Sequence, residues 1–175
     1  MTCIVGIVEN GIVYIGADSA ASGTNSIVVR SDEKVFFNRD FLIGFTTSYR
    51  MGQILRYVFI PPEYVDTSDL YKYMVKEFVP QVYQCLTLNN FTVDKNSEGG
   101  LFLVGFRGNL FRIADDFQVV QTSDNFMSLG NGDRCAIGAL YATRGQDPTI
   151  RIQIALEAAA KYTPGVLPPF IIKNI

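Results

Sequence analysis

Thr2 is the residue with the most chemistry to offer in this sequence. Removal of Met1, which ordinary methionine processing performs ahead of small second residues, would place a hydroxyl and a free α-amine on one residue. An unperturbed α-amine has a pKa of about 7.7 to 8.0. It can therefore take the hydroxyl proton near neutrality, directly or through water. The sequence contains no histidine, which removes Ser-His-Asp and Cys-His pairs, HExxH zinc sites and imidazole bases together. An amine used as base works best beside a cation that holds its pKa down, and a partly buried cation needs a counterion. Lys34 and Asp18 are residues of those types, at the start of one expected strand and the end of another.

Hydropathy patterning supplies the elements that must bring these three together. Thr2 to Val8 and Ile12 to Ala17 are β-branched runs joined through Glu9, Asn10 and Gly11, and Asn-Gly between such runs signals a hairpin. Lys34 to Phe37 and Phe41 to Thr46 form a second pair. Met51, Ile54, Leu55, Val58 and Phe59 then follow helical spacing, and Pro61 and Pro62 end the helix. Asp66, Thr67, Ser68 and Asp69 offer N-caps for a second helix bearing Leu70, Tyr73, Met74 and Phe78, bent near Pro80 and fading by Leu88. Strands are expected again at Leu101 to Phe106, Asn109 to Ile113 and Val119 to Gln121. Helices follow at Asp133 to Tyr141 and Thr149 to Tyr162, and a closing strand at Phe170 to Ile172. Hairpins and helix pairs alternating in blocks argue for antiparallel sheets with helices in outer layers. The expected class is α+β: a four-layer αββα sandwich of two antiparallel sheets, as a single domain over residues 1–175.

Composition bounds the function. The 175 residues are 48% hydrophobic and 18% charged, enough apolar material for a sizeable core. A formal charge of −2 argues against nucleic-acid binding and attraction to anionic lipid. No apolar stretch approaches the roughly 20 residues that cross a bilayer, and the short polar loop Asp94 to Gly99 is no linker. Cys3, Cys85 and Cys135 lack CxxC spacing and read as small core hydrophobes in a reducing compartment. A cytoplasmic location is expected.

The segments Thr2-Cys3-Ile4-Val5-Gly6, Gly16-Ala17-Asp18-Ser19 and Lys34-Val35 resemble the proteasome β-subunit and HslV family of N-terminal-nucleophile hydrolases. Leu42-Ile43-Gly44-Phe45 ahead of a helix, and Gly130-Asn131-Gly132 opening a later one, are similar to that family too. The resemblance implies a threonine-type peptidase in which Thr2 is the nucleophile and its amine the base. Lys34 would tune both, Asp18 would orient Lys34, and Asn131 would support the amine. The Ser48 backbone N–H would serve the oxyanion hole, and Ser19, Ser22, Thr46 and Tyr49 would line the substrate. Neither metal nor organic cofactor is implied. A homo-oligomeric ring, polypeptide substrates and an ATP-dependent unfoldase partner are.

Departures from the family pattern motivate an alternative. Ser48-Tyr49 stands where the family typically has Gly-Gly and would narrow the cleft. Asn131 replaces a serine. Lys161-Tyr162-Thr163-Pro164-Gly165 has no carboxylate at the place of the family's late Asp. The alternative is a catalytically silent subunit of the same fold with a structural or partner-binding role. A small-molecule amidase on the scaffold would share the chemistry and differ in cleft shape.

Overall fold

Successive side chains of the first apolar run fall into two different cores. Cys3, Val5 and Ile7 pack in one cluster and Ile4 in another, as a strand buried on both faces requires. This strand, β1 (Cys3–Glu9), turns through Asn10 and Gly11 into β2 (Ile12–Ala17). Both turn residues have positive φ, 51° and 77°, as a tight hairpin demands. The computed structural model describes residues 2–23, 25–65, 69–91 and 100–175. Met1, the caps Asp66, Thr67 and Ser68, and the Asp94 to Gly99 loop lie outside the described residues.

After β2 come β3 (Ala20–Ser22), β4 (Ile27–Val29), β5 (Val35–Asn38), β6 (Phe41–Phe45) and α1 (Tyr49–Tyr57). α2 (Leu70–Tyr73) runs through a π-helical turn, Met74–Phe78, into α3 (Val79–Leu88). The second half contains β7 (Phe102–Phe106), β8 (Asn109–Ile113), β9 (Val119–Val120), β10 (Phe126–Gly130), α4 (Asp133–Ala142), α5 (Pro148–Tyr162) and β11 (Ile171–Asn174). One sheet has the order β10-β1-β2-β11, the other β5-β6-β7-β8-β9, and β3 pairs with β4 in a small ribbon. All these pairings are antiparallel.

Three apolar clusters define the layers. Ile4, Ile15, Leu42, Leu103 and Leu129 fill the space between the sheets. Ile152, Ala155 and Leu156 of α5 cover the outer face of the first sheet. Met51 and Ile54 of α1, with Val82 and Leu86 of α3, cover the second. The four-layer αββα sandwich expected from sequence is the fold observed.

Its details differ in four places. β10 was not expected, and neither was the ribbon of β3 and β4. The distortion in the second helix occupies Met74–Phe78, ahead of Pro80 rather than at it; widening this turn accommodates a ring that has no N–H to donate and crowds the preceding carbonyl. Val58 caps the C-terminus of α1 and is exposed, so the buried stripe of that helix ends at Leu55.

Candidate active site

Thr2 directly precedes β1. The register pairs Cys3 with Gly130, and the Gly132 N–H donates to the Thr2 carbonyl at 3.3 Å, so β10 and its turn hold the start of the chain. Asp18 follows the last residue of β2, which pairs with Ile4. Lys34 belongs to the other sheet, just before β5, where its carbonyl accepts the Phe45 N–H at 3.1 Å. Its side chain crosses between the sheets to reach the other two.

The Lys34 ammonium has three N–H bonds and three acceptors. It donates to Thr2 Oγ1 at 3.0 Å, Asp18 Oδ1 at 2.7 Å and the Ala20 carbonyl at 2.6 Å. All three side chains are buried, Lys34 to 2% exposure and Asp18 to 1%. Burial pushes the lysine below its ordinary pKa, and the neighbouring Asp18 carboxylate opposes that shift. Asp18 also accepts backbone N–H groups: Cys3 at 2.9 Å on Oδ1, then Ala20 at 3.0 Å and Leu167 at 3.4 Å on Oδ2. The cluster places a cation against a hydroxyl and supplies the counterion that a buried cation needs. Cys3, next along the chain, is a poor alternative nucleophile: burial drives its thiol to about 12, and the Asp18 charge adds to the shift.

A cavity of about 750 Å³ opens beside Thr2. Ser22, Thr46, Ser48, Tyr49 and Asn131 line it with Thr2, so six of the nine residues singled out from sequence meet there. Asp18 and Lys34 lie behind this wall. Ser19 is not among the lining residues; its hydroxyl donates to the Pro169 carbonyl at 2.6 Å. Ser48 caps α1, its hydroxyl accepting the Met51 N–H, while its own N–H donates to the Thr46 carbonyl at 2.9 Å. Thr47 between them has a φ of 70°, a left-handed geometry costly for a β-branched residue. As it stands, the Ser48 N–H is aimed at Thr46 rather than at the cleft.

Three participants were missed from sequence. The Leu167 N–H reaches Asp18 from the far end of the chain, and no local pattern marks such a donor. Arg30 stacks on the Tyr49 ring, 4.0 Å from its centroid. Asp133 stands at the entrance of α4 and is the one charged residue among those described that line the cavity. At the place lacking the late carboxylate, Thr163 ends α5, donating its N–H to Ala159. Among the described residues no three His, Cys, Asp or Glu side chains gather as metal ligands.

No protein-family profile matches this chain, and no curated protein is similar to it in sequence. Solved structures are similar in shape. Thiobacillus denitrificans BPH in complex with epoxomicin superposes with a TM-score of 0.82 at 18% identity, over 99% of this chain and 98% of that one. Eukaryotic HslV from Trypanosoma brucei gives 0.70 at 17% identity, over 99% and 98%. Anbu, the ancestral β-subunit, from Yersinia bercovieri gives 0.69 at 13% identity, over 99% and 81%.

Proposed function

We propose that this chain, which has the fold of HslV and the proteasome-like proteins, is a threonine-type endopeptidase or amide hydrolase whose nucleophile is the Thr2 hydroxyl. The observation that carries the reading is the buried Lys34 ammonium donating at once to Thr2 Oγ1 and Asp18. With Met1 removed, Oγ attacks the substrate carbonyl carbon and passes its proton to the α-amine. Lys34 stabilises the oxygen as it loses that proton. The tetrahedral oxyanion collapses and breaks the C–N bond, the α-ammonium protonates the departing amine, and an acyl ester remains on Thr2. Water, losing a proton to the amine, then attacks the ester; as the acid is released, the α-ammonium returns that proton to the departing Thr2 Oγ1 and restores the hydroxyl and the free amine. These steps draw on the chain's own groups and water. Ser48 provides the oxyanion donor once its N–H turns from Thr46 into the cleft, and Asn131 supports the amine.

Polypeptide substrates, a closed homo-oligomeric ring, feeding by an ATP-dependent unfoldase and a cytoplasmic setting belong to this reading through the resemblance. The second reading, a silent subunit, is favoured by one observation: the Ser48 N–H is bonded to Thr46.

The test uses a fusion cleaved so that the chain begins at Thr2, treated with a peptide β-lactone. The expected result is a mass increase of one acyl group on Thr2, none in Thr2→Ala, and a rate that falls as pH drops through the amine pKa, which the neighbouring Lys34 cation holds below the unperturbed value. A folded chain that begins at Thr2 and takes up no label would establish the silent reading instead.

A further inference from the structure

Tyr49 opens α1 beside the cleft, and its ring is fixed from several sides. The O–H donates to the Ala20 carbonyl at 3.1 Å, the same oxygen that accepts from Lys34. Phe45 meets the ring edge-on, with centroids 5.7 Å apart at 86°. The Arg30 guanidinium lies 4.0 Å from the ring centroid and is itself held by Asp32, at 2.6 and 2.5 Å. Lys34 Nζ lies 6.0 Å from the same centroid. Tyr49 and Thr2 line the cavity, whereas Lys34 is not among its lining residues. The aromatic ring thus borders both the open cleft and the dry lysine.

We propose that Tyr49 is a positioning residue that seals Lys34 from water in the cleft, so that its third N–H stays on Thr2 Oγ1. The structural claim stands on this geometry; its catalytic consequence rests on the threonine-hydrolase reading. Water admitted beside Nζ would offer a competing acceptor and would solvate the charged form. The lysine would then titrate at higher pH, because the desolvation that depresses it would be lost. The groups facing Lys34 are Thr2 before β1, the Cys3 thiol on β1, Asp18 after β2, Arg30 after β4 and Tyr49 on α1. Removing the ring leaves Asp18 and Cys3 in place but takes away the surface on which Arg30 rests. A retreating Arg30 would raise the lysine in the same direction, so it needs its own control. The phenol is pushed up to about 12 by burial, so it stays a neutral donor throughout the useful range.

The experiment follows the Lys34 side chain by NMR through a pH titration of the full chain beginning at Thr2. Tyr49→Phe keeps the ring and should titrate with the wild type. Tyr49→Gly, or Tyr49→Ala if the glycine variant is less well folded, should raise the midpoint by about one pH unit. Arg30→Gln should produce less than half of that rise. In β-lactone labelling, Tyr49→Gly should slow the maximal rate at least tenfold, and more than Tyr49→Phe does. An unchanged midpoint in the ring-less variants, a Tyr49→Phe midpoint as high as theirs, or an Arg30→Gln rise equal to theirs would overturn the proposal. The titration reads the seal even if the wild type takes no label, an outcome that would count against the hydrolase reading alone.

Discussion

Asp18 uses both carboxylate oxygens fully, and each receives two donors: Cys3 N–H and Lys34 on one, Ala20 N–H and Leu167 N–H on the other. An amide in its place turns one oxygen into a donor, so one of these pairs must face N–H against N–H while the buried ammonium loses its counterion. Asp18→Asn should therefore destabilise the chain by about 3–5 kcal/mol, the range for breaking a buried ion pair from one side. Urea unfolding measures it, and a loss below about 1 kcal/mol would mean that water replaces the carboxylate. The types and order of Thr2, Asp18 and Lys34 were legible in the sequence because the chemistry asks for a hydroxyl, an acid and a cation. The direction of the Ser19 hydroxyl was not. The resemblance puts Ser19 on the substrate, but the Pro169 carbonyl takes its hydroxyl, and no spacing rule brings the end of the chain to that point.

At the scale of elements, the candidate site spans two sheets, with Thr2 and Asp18 on one and Lys34 on the other. Their separation therefore governs whether Nζ reaches Thr2. Gly44 on β6 lets them approach: a Cβ there would lie 2.7 Å from Ile15 Cγ2 and 2.9 Å from Ile4 Cγ2, close to the start of β1. Gly44→Ala should cost about 1–3 kcal/mol by overpacking. It should also slow Thr2 labelling more than an equally destabilising substitution on the outer face of α5, because it pushes Lys34 away from its partner. Equal labelling in the two variants would separate sheet spacing from the site. The Asn10-Gly11 hairpin was readable because its turn conformation demands those residues. β10 was not: Phe126–Gly130 is short, its burial does not alternate, and it pairs with β1 across most of the sequence. The same long-range pairing sets Gly130-Asn131-Gly132 beside Thr2.

On the whole molecule, large apolar side chains remain exposed at or just beyond helix ends, among them Tyr57, Ile60, Leu88 and Tyr162. Val28 and Val29 of the small ribbon are also exposed, near the cleft. Surfaces of this kind are what a subunit contact would cover. If the ring proposed above forms, native mass spectrometry should find a closed assembly at a whole multiple of 19.5 kDa, and Tyr57→Glu with Leu88→Glu should shift it towards a single chain. A monomer at micromolar concentration would remove the ring from the functional reading while leaving the chemistry of Thr2 untouched. Among the described residues, no helix is long and apolar enough to cross a membrane.

The sequence by itself determined the layer architecture and singled out the candidate hydroxyl, acid and cation. Period-two and period-3.6 hydropathy dictate which faces must be buried, and without histidine the α-amine is the base that the proposed Thr2 nucleophile would use. Tertiary structure decided the rest: which strand flanks Thr2, where Lys34 finds its three acceptors, and that Tyr49 lines the cleft with its ring centroid 6.0 Å from the lysine ammonium. It also turned the Ser48 N–H onto Thr46. These outcomes depend on directions and approaches between residues far apart along the chain, whereas periodicity reports only the neighbours within an element.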